Sequence, residues 1–177
     1  MPVIRRWSRS STPSPVGCSA ADPLVGIWVR RATADDVPAL ARIAEAAYAP
    51  YVVRMGQKPA SMVADFVAHV AADAAYLAEA AAAAVGYIVT FEKDAGQFIE
   101  NVAVHPDRWG EGIGRAILYF AEQEAEDNRL ARLFLYTNVH MTENLDLYPR
   151  LGYVESHRVC EAGFDCVCFE KRITYER

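Results

Sequence analysis

A chain of 177 residues, 53% hydrophobic and 23% charged, is long enough for one domain with a sizeable core and too short for two comfortable ones. Its net charge of −5 is unevenly spread: Arg5, Arg6 and Arg9 leave residues 1–21 at +3, so the remainder stands at −8, an acidic body that repels a phosphate backbone and argues against nucleic-acid binding. The alanine-rich stretch 71–84 is broken by Asp73 and Glu79, and no apolar run is long enough for a membrane-spanning helix.

The opening segment, MPVIRRWSRSSTPSPVGCSAADPLVG, is rich in Ser, Pro and Arg and has no apolar period. Its Arg5-Arg6 pair suggests twin-arginine export, but no apolar stretch follows. Residues 1–25 are therefore expected to be a disordered tail, or the product of a start codon placed too early, and dispensable for folding. IWVRRAT (27–33) alternates apolar and polar residues and predicts a strand. Thr33 and Asp36 form a capping-box pattern, Pro38 fits a first helical turn, and Val37, Leu40, Ala44, Ala47 and Tyr48 share one face. Residues 49–59 are expected as a loop. Met62, Val63, Phe66, Val67 and Val70 form a second helical stripe ending near Asp73.

Three strands follow, AAYLAEA (74–80), AVGYIVTFEK (84–93) and AGQFIENVAVHP (95–106), joined closely enough for an antiparallel meander. Beyond RWGEGIGRA (108–116), the stripe Ile113, Ala116, Ile117, Phe120, Ala121 predicts a helix to about Asp127. ARLFLYTN (131–138) is apolar enough to be buried on both faces, and thus parallel to its neighbour across that helix. Thr142 opens a short helix carrying Leu145, Tyr148 and Leu151, with Gly152 as its left-handed cap. A hairpin around Gly163 closes the chain. The order βααβββαβαββ predicts an α+β domain, three-layer αβα-like, with a mixed, mostly antiparallel sheet of about six to seven strands and helices on both faces. Cys18, Cys160, Cys166 and Cys168 lack zinc spacing and are expected to be buried free thiols in a reducing cytoplasm.

Gly110, Gly112 and Gly114 alternate just before a helix, which points to close approach of something to the backbone. A dinucleotide loop needs G-x-G-x-x-G, but Arg115 stands where the third glycine belongs, and a Walker loop needs a G-K-[ST] triplet that is absent. What remains is an anion site built from backbone N–H groups and a helix N-terminus.

VAVHPDRWGEGIGRAIL, the LFLYTN strand and LYPRLGY together resemble the GNAT-type N-acetyltransferase superfamily over residues 27–172. The family motif [Q/R]-x-x-G-x-[G/A] falls on Trp109, Gly110, Glu111, Gly112, Ile113 and Gly114, with Trp109 where Gln or Arg is usual and Arg108 or Arg115 left to supply positive charge. The resemblance implies that this loop holds the pyrophosphate of acetyl-CoA. It also implies that the fourth and fifth of the strands counted above splay apart, with the pantetheine arm lying against Val102, Ala103 and Val104 and near Asn138. Met141 stands where the family commonly has an asparagine on the coenzyme.

The resemblance implies further that Tyr148 protonates the departing thiolate, a transfer expected to be favourable from reference pKa values of roughly 10 for a phenol and roughly 8.5 for a thiol. Glu100, inside an otherwise apolar strand, is a candidate to deprotonate or bind the acceptor amine, against an exposed position or a structural ion pair. His105 precedes Pro106 and reads as structural, whereas His140 is a candidate second base. No metal site is expected. The implied activity is acetyl transfer to a primary amine of a small molecule or peptide, in the cytoplasm, with a second copy of the chain as a candidate partner and neither nucleic acid nor membrane. The alternatives are a catalytically silent coenzyme-A-binding module and an acyltransferase with a longer donor. Residues 48–61 and 156–164 are expected to select the acceptor.

Overall fold

The computed structural model of the chain describes residues 4–5, 26–161 and 163–174. The expectations for the rest of the segment 1–25, Cys18 included, lie outside these residues. Two residues, β1 (Ile4–Arg5), pair antiparallel with the edge of β2 (Ile27–Arg31). The predicted capping box follows: the Asp36 carboxylate accepts from the Thr33 N–H at 2.8 Å and from the Thr33 hydroxyl at 2.9 Å. Arg30 donates to the same carboxylate at 2.7 Å, and this hydrogen bond holds Asp36 down at about 2.

α1 (Val37–Met55) overruns the loop expected at 49–59. Pro50 lies inside it, and an interior proline costs a helix about 3 kcal/mol. Tyr48 and Tyr51 are both buried on this stretch, and burying two such rings at about 2 kcal/mol each offsets that cost. The helix stops at Gly56, whose φ of +69° is left-handed. The second predicted helix is shorter than its apolar stripe. A 3-10 turn (Ala60–Val63) precedes α2 (Phe66–Ala71), which begins where the Asp65 carboxylate accepts from the Ala68 N–H at 3.0 Å. Phe66 is buried, but Val63 and Val67 remain exposed.

The meander forms as expected from β3 (Ala75–Ala80), β4 (Ala83–Lys93) and β5 (Gly96–Val104). α3 (Ile113–Asp127) carries the chain across to β6 (Arg132–Asn138), which is parallel to β5. α4 (Thr142–Arg150) leads into the hairpin β7 (Val154–Glu161) and β8 (Phe164–Arg172), whose second strand lies between β6 and β7. Among the described residues the sheet has eight strands in the order β1-β2-β3-β4-β5-β6-β8-β7, one more than the expected six to seven because of the two-residue β1.

The sheet separates two cores. Ile113, Ile117 and Phe120 of α3 pack with Leu133 and Val167 on one side. Leu40 and Ile43 of α1 pack with Tyr87 and Val89 on the other. The αβα layering is thus present. Gly86 lets α3 approach β4, since a Cβ there would lie 2.8 Å from both Ala103 O and Ile117 Cδ1. Cys160, Cys166 and Cys168 form no disulfide; only Cys166 is buried, and Cys160 is exposed, against the expectation of buried thiols.

Candidate active site

β5 and β6 run side by side only where Gln97–Ile99 face Leu133–Leu135. Beyond that point β5 stays on β4 as far as Val104, whereas β6 stays on β8 as far as Asn138. The sheet therefore opens as a V between residues 100–104 and 136–138, the splay that the family resemblance implies. The His105 N–H donates to Val85 O at 2.8 Å, so the alternation of an antiparallel ladder turns the backbone groups of Val102 and Val104 into the V.

A β-bulge re-aims the side chains beside this opening. Val89 pairs with Asn101 and Thr90 with Ile99, which leaves Glu100 as an extra residue on β5. Both Glu100 and Asn101 then line one cavity, of about 450 Å³, together with Tyr48, Ser61, Asn138, Asn144 and Tyr148. Met55, Phe98, Val159 and Phe164 add apolar wall.

Asn101 ties the elements around the cavity together. The Tyr48 hydroxyl shares its proton between Asn101 Oδ1 and Val102 O, each 2.9 Å away. The Tyr87 hydroxyl donates to the same Oδ1 at 3.0 Å, and Asn101 Nδ2 donates to Ser61 O at 2.9 Å. Burial pushes the Tyr48 and Tyr87 phenols well above their ordinary value, so both stay neutral donors.

Tyr148 is buried on α4, its ring edge-on to Tyr153 at 5.7 Å and tilted against Phe169 at 5.5 Å. Among the described residues its hydroxyl makes no hydrogen bond, and burial, with Tyr48 and Tyr51 nearby, pushes its pKa well above that of an ordinary phenol. This overturns the expected favourable transfer to a thiolate, which has the wrong sign even at reference values. The group with the higher pKa keeps the proton, and 1.5 units amounts to about 2 kcal/mol uphill. A phenol so placed can donate a hydrogen bond to a neighbouring anion while keeping its own proton.

Glu100 is neither exposed nor isolated. Its Oε2 lies 3.0 Å from His69 Nε2 but without hydrogen-bond geometry, so this buried oxygen has no hydrogen-bond partner among the described residues. Asn138 ends β6 with its Oδ1 accepting from the His140 N–H at 3.0 Å, and His140 itself does not line the cavity. His105 Nδ1 accepts from the Asp107 N–H at 3.3 Å, capping the turn that leads to the glycine loop. Met141 is buried, and its sulfur is approached by Thr137 Oγ1 at 3.6 Å and Asn144 Nδ2 at 3.8 Å. Asn144 thus brings a side-chain amide into the cavity one helical turn before Tyr148. No motif in the sequence marks Asn144, although its spacing of four from Tyr148 puts both on one helical face.

In the glycine loop, Gly110 and Gly112 have left-handed φ values of +83° and +79°, and Gly112 is the N-cap of α3. The N–H groups of Ile113, Gly114 and Arg115 therefore have no partner within the helix. Gly114 is helical, and a Cβ there would sit 3.7 Å from Val104 Cγ2, beside the mouth of the V. Arg108 is committed to the Glu111 carboxylate, with Nε 2.8 and 2.9 Å from its two oxygens. Of the two arginines considered for positive charge, this leaves Arg115, which has no ion pair among the described residues. Trp109 is half exposed and donates its indole N–H to Val104 O at 2.8 Å.

The sequence model of the acetyltransferase (GNAT) family matches residues 40–153. Among solved structures, the ribosomal-protein-S18-alanine N-acetyltransferase of Escherichia coli is similar at 19% identity over 85% of this chain and 96% of its own, with a TM-score of 0.67. The PaiA N-acetyltransferase of Thermoplasma acidophilum, solved in complex with coenzyme A, is similar at 14% identity over 82% of this chain and 98% of its own, with a TM-score of 0.71. Ard1 of Thermoplasma volcanium is similar at 15% identity over 85% of this chain and 100% of its own, with a TM-score of 0.68. At such identities these likenesses show the fold. No curated protein sequence matches the chain. The glycine loop, the splayed strands and the match over residues 40–153 agree: the chain belongs to the GNAT acetyltransferase family, whose general reaction is acetyl-CoA-dependent acetylation.

Proposed function

We propose that this chain is an N-acetyltransferase that transfers the acetyl group of acetyl-CoA to a primary amine by direct attack on the thioester. The observation that carries this is one cavity, set in the V of the sheet, lined by both a carboxylate, Glu100, and an unengaged phenol, Tyr148. A silent coenzyme-binding module has no use for that pair.

The residues present fit the coenzyme. Val102 and Val104 turn backbone donors and acceptors into the V where β6 has left them, and buried backbone groups call for partners of this kind. Tyr48 and Trp109 each occupy one lone pair of these carbonyls, and the second lone pair of each is left for an amide. The N–H groups of residues 113–115, with the Arg115 guanidinium, suit a pyrophosphate. When bound, acetyl-CoA supplies an activated acyl group and a thiolate leaving group. Glu100 takes the proton of the acceptor ammonium, and the Tyr148 O–H donates a hydrogen bond to the departing sulfur.

Among the described residues Lys93 and Glu100 are the only charged side chains in the lining, and Met55, Pro59, Phe98 and Phe164 surround them. This favours an amine carried on an apolar body. The test is thiol release from acetyl-CoA with benzylamine, tyramine, spermidine and a short peptide with a free N-terminus. Release well above hydrolysis is expected with at least one, and more with benzylamine or tyramine than with spermidine. Coenzyme binding without release for any amine would favour the silent module.

A further inference from the structure

His69 lies near the C-terminal end of α2, outside every motif that carries the family resemblance. Two features bring it to Glu100. The bulge turns the extra residue of β5 toward α2, and the hydrogen bond from Asn101 Nδ2 to Ser61 O, 2.9 Å long, pins the turn before α2 beside the bulge. His69 Nε2 then stands 3.0 Å from Glu100 Oε2, an oxygen that is buried and makes no hydrogen bond among the described residues. Leaving a carboxylate oxygen in that state is costly, and among the described residues this imidazole is the one basic side chain beside it. Glu100 also lines the cavity, whereas 20% of the His69 side chain remains open to solvent.

We infer that Glu100 and His69 form a two-residue proton path from the acceptor amine to solvent, with His69 acting through Glu100 as a positioning residue. The inference rests on the proposed meeting of Glu100 with the acceptor. An N–H bond of the acceptor ammonium breaks as an O–H bond forms on Glu100. That O–H bond breaks as an N–H bond forms at His69 Nε2, and the imidazolium releases its Nδ1 proton to water. Glu100 is again a carboxylate, one proton has reached solvent for each amine made nucleophilic, and His69 is neutral with its proton on Nε2, which exchange with water returns to Nδ1 before the next turnover.

The test compares His69→Ala, His69→Gln and Glu100→Gln in the full chain, using whichever of benzylamine, tyramine, spermidine and the peptide the wild type acetylates fastest. Both His69 variants are expected to lose about tenfold or more in kcat/KM, with melting temperature and acetyl-CoA affinity unchanged. Added imidazole should restore His69→Ala, and pyrazole, of the same shape but far less basic, should not. Full activity in His69→Gln, or equal rescue by pyrazole, would reduce His69 to a packing role and overturn the path. An inactive Glu100→Gln beside a fully active His69→Ala would overturn the path while sparing the role of Glu100. A fully active Glu100→Gln would remove that role and the path with it.

Discussion

Replacing Tyr148 by phenylalanine is expected to lower kcat and kcat/KM together, by about 10²–10⁴-fold, and to leave the affinity for acetyl-CoA unchanged. The ring keeps its contacts with Tyr153 and Phe169, and no hydrogen-bond partner is orphaned because the hydroxyl has none among the described residues. Stability should therefore hold while the chemistry fails. The raised pKa adds a second readout. A phenol whose pKa lies above 10 keeps its proton throughout the neutral and mildly alkaline range, so wild-type kcat should show no alkaline fall from this group up to pH 10. A higher KM at unchanged kcat would make Tyr148 a packing residue instead.

Gly114→Leu is expected to abolish coenzyme binding while leaving the free chain folded. Gly114 is the cleaner of the two motif glycines to change. Its backbone is helical with room for a Cβ, whereas Gly112 at φ +79° would add backbone strain to any substitution. Coenzyme A at a hundred times its dissociation constant stabilises a native state by about 2.7 kcal/mol, roughly 5–10 °C in melting temperature for a chain of this size. The wild type should show that shift with coenzyme A and not with ATP or NAD, and Gly114→Leu should show none. An equal shift with ATP would contradict a loop fitted to the coenzyme.

Much of this architecture is legible along the chain, because strand alternation, turns and apolar stripes are local signals. The meander, α3, the parallel β6 and the closing hairpin all follow from such signals. The misreadings occur where a distant contact decides. Pro50 marks a break in the sequence, yet the helix runs on to Met55 because Tyr48 and Tyr51 bury their rings. The stripe from Met62 to Val70 predicts one helix, yet Asp65 starts a new one.

The site divides in the same way. Glycines before a helix, a tyrosine after it and a glutamate in an apolar strand are visible in the sequence, and the splay follows from the family resemblance. The bulge at Glu100 shows only in the register of β4 against β5. Tyr48 and Asn101 meet across 53 residues of sequence, and no local pattern announces such a contact. His69 joins Glu100 for the same reason.

The most direct test of the account is a mass analysis of the wild-type chain with acetyl-CoA and the amine that gives the fastest thiol release. Direct transfer predicts one N-acetylated amine for each free coenzyme A formed, with no acetylated enzyme at any time during turnover. Free coenzyme A without N-acetylated amine, or an acetyl group accumulating on the protein before it reaches the amine, would contradict it.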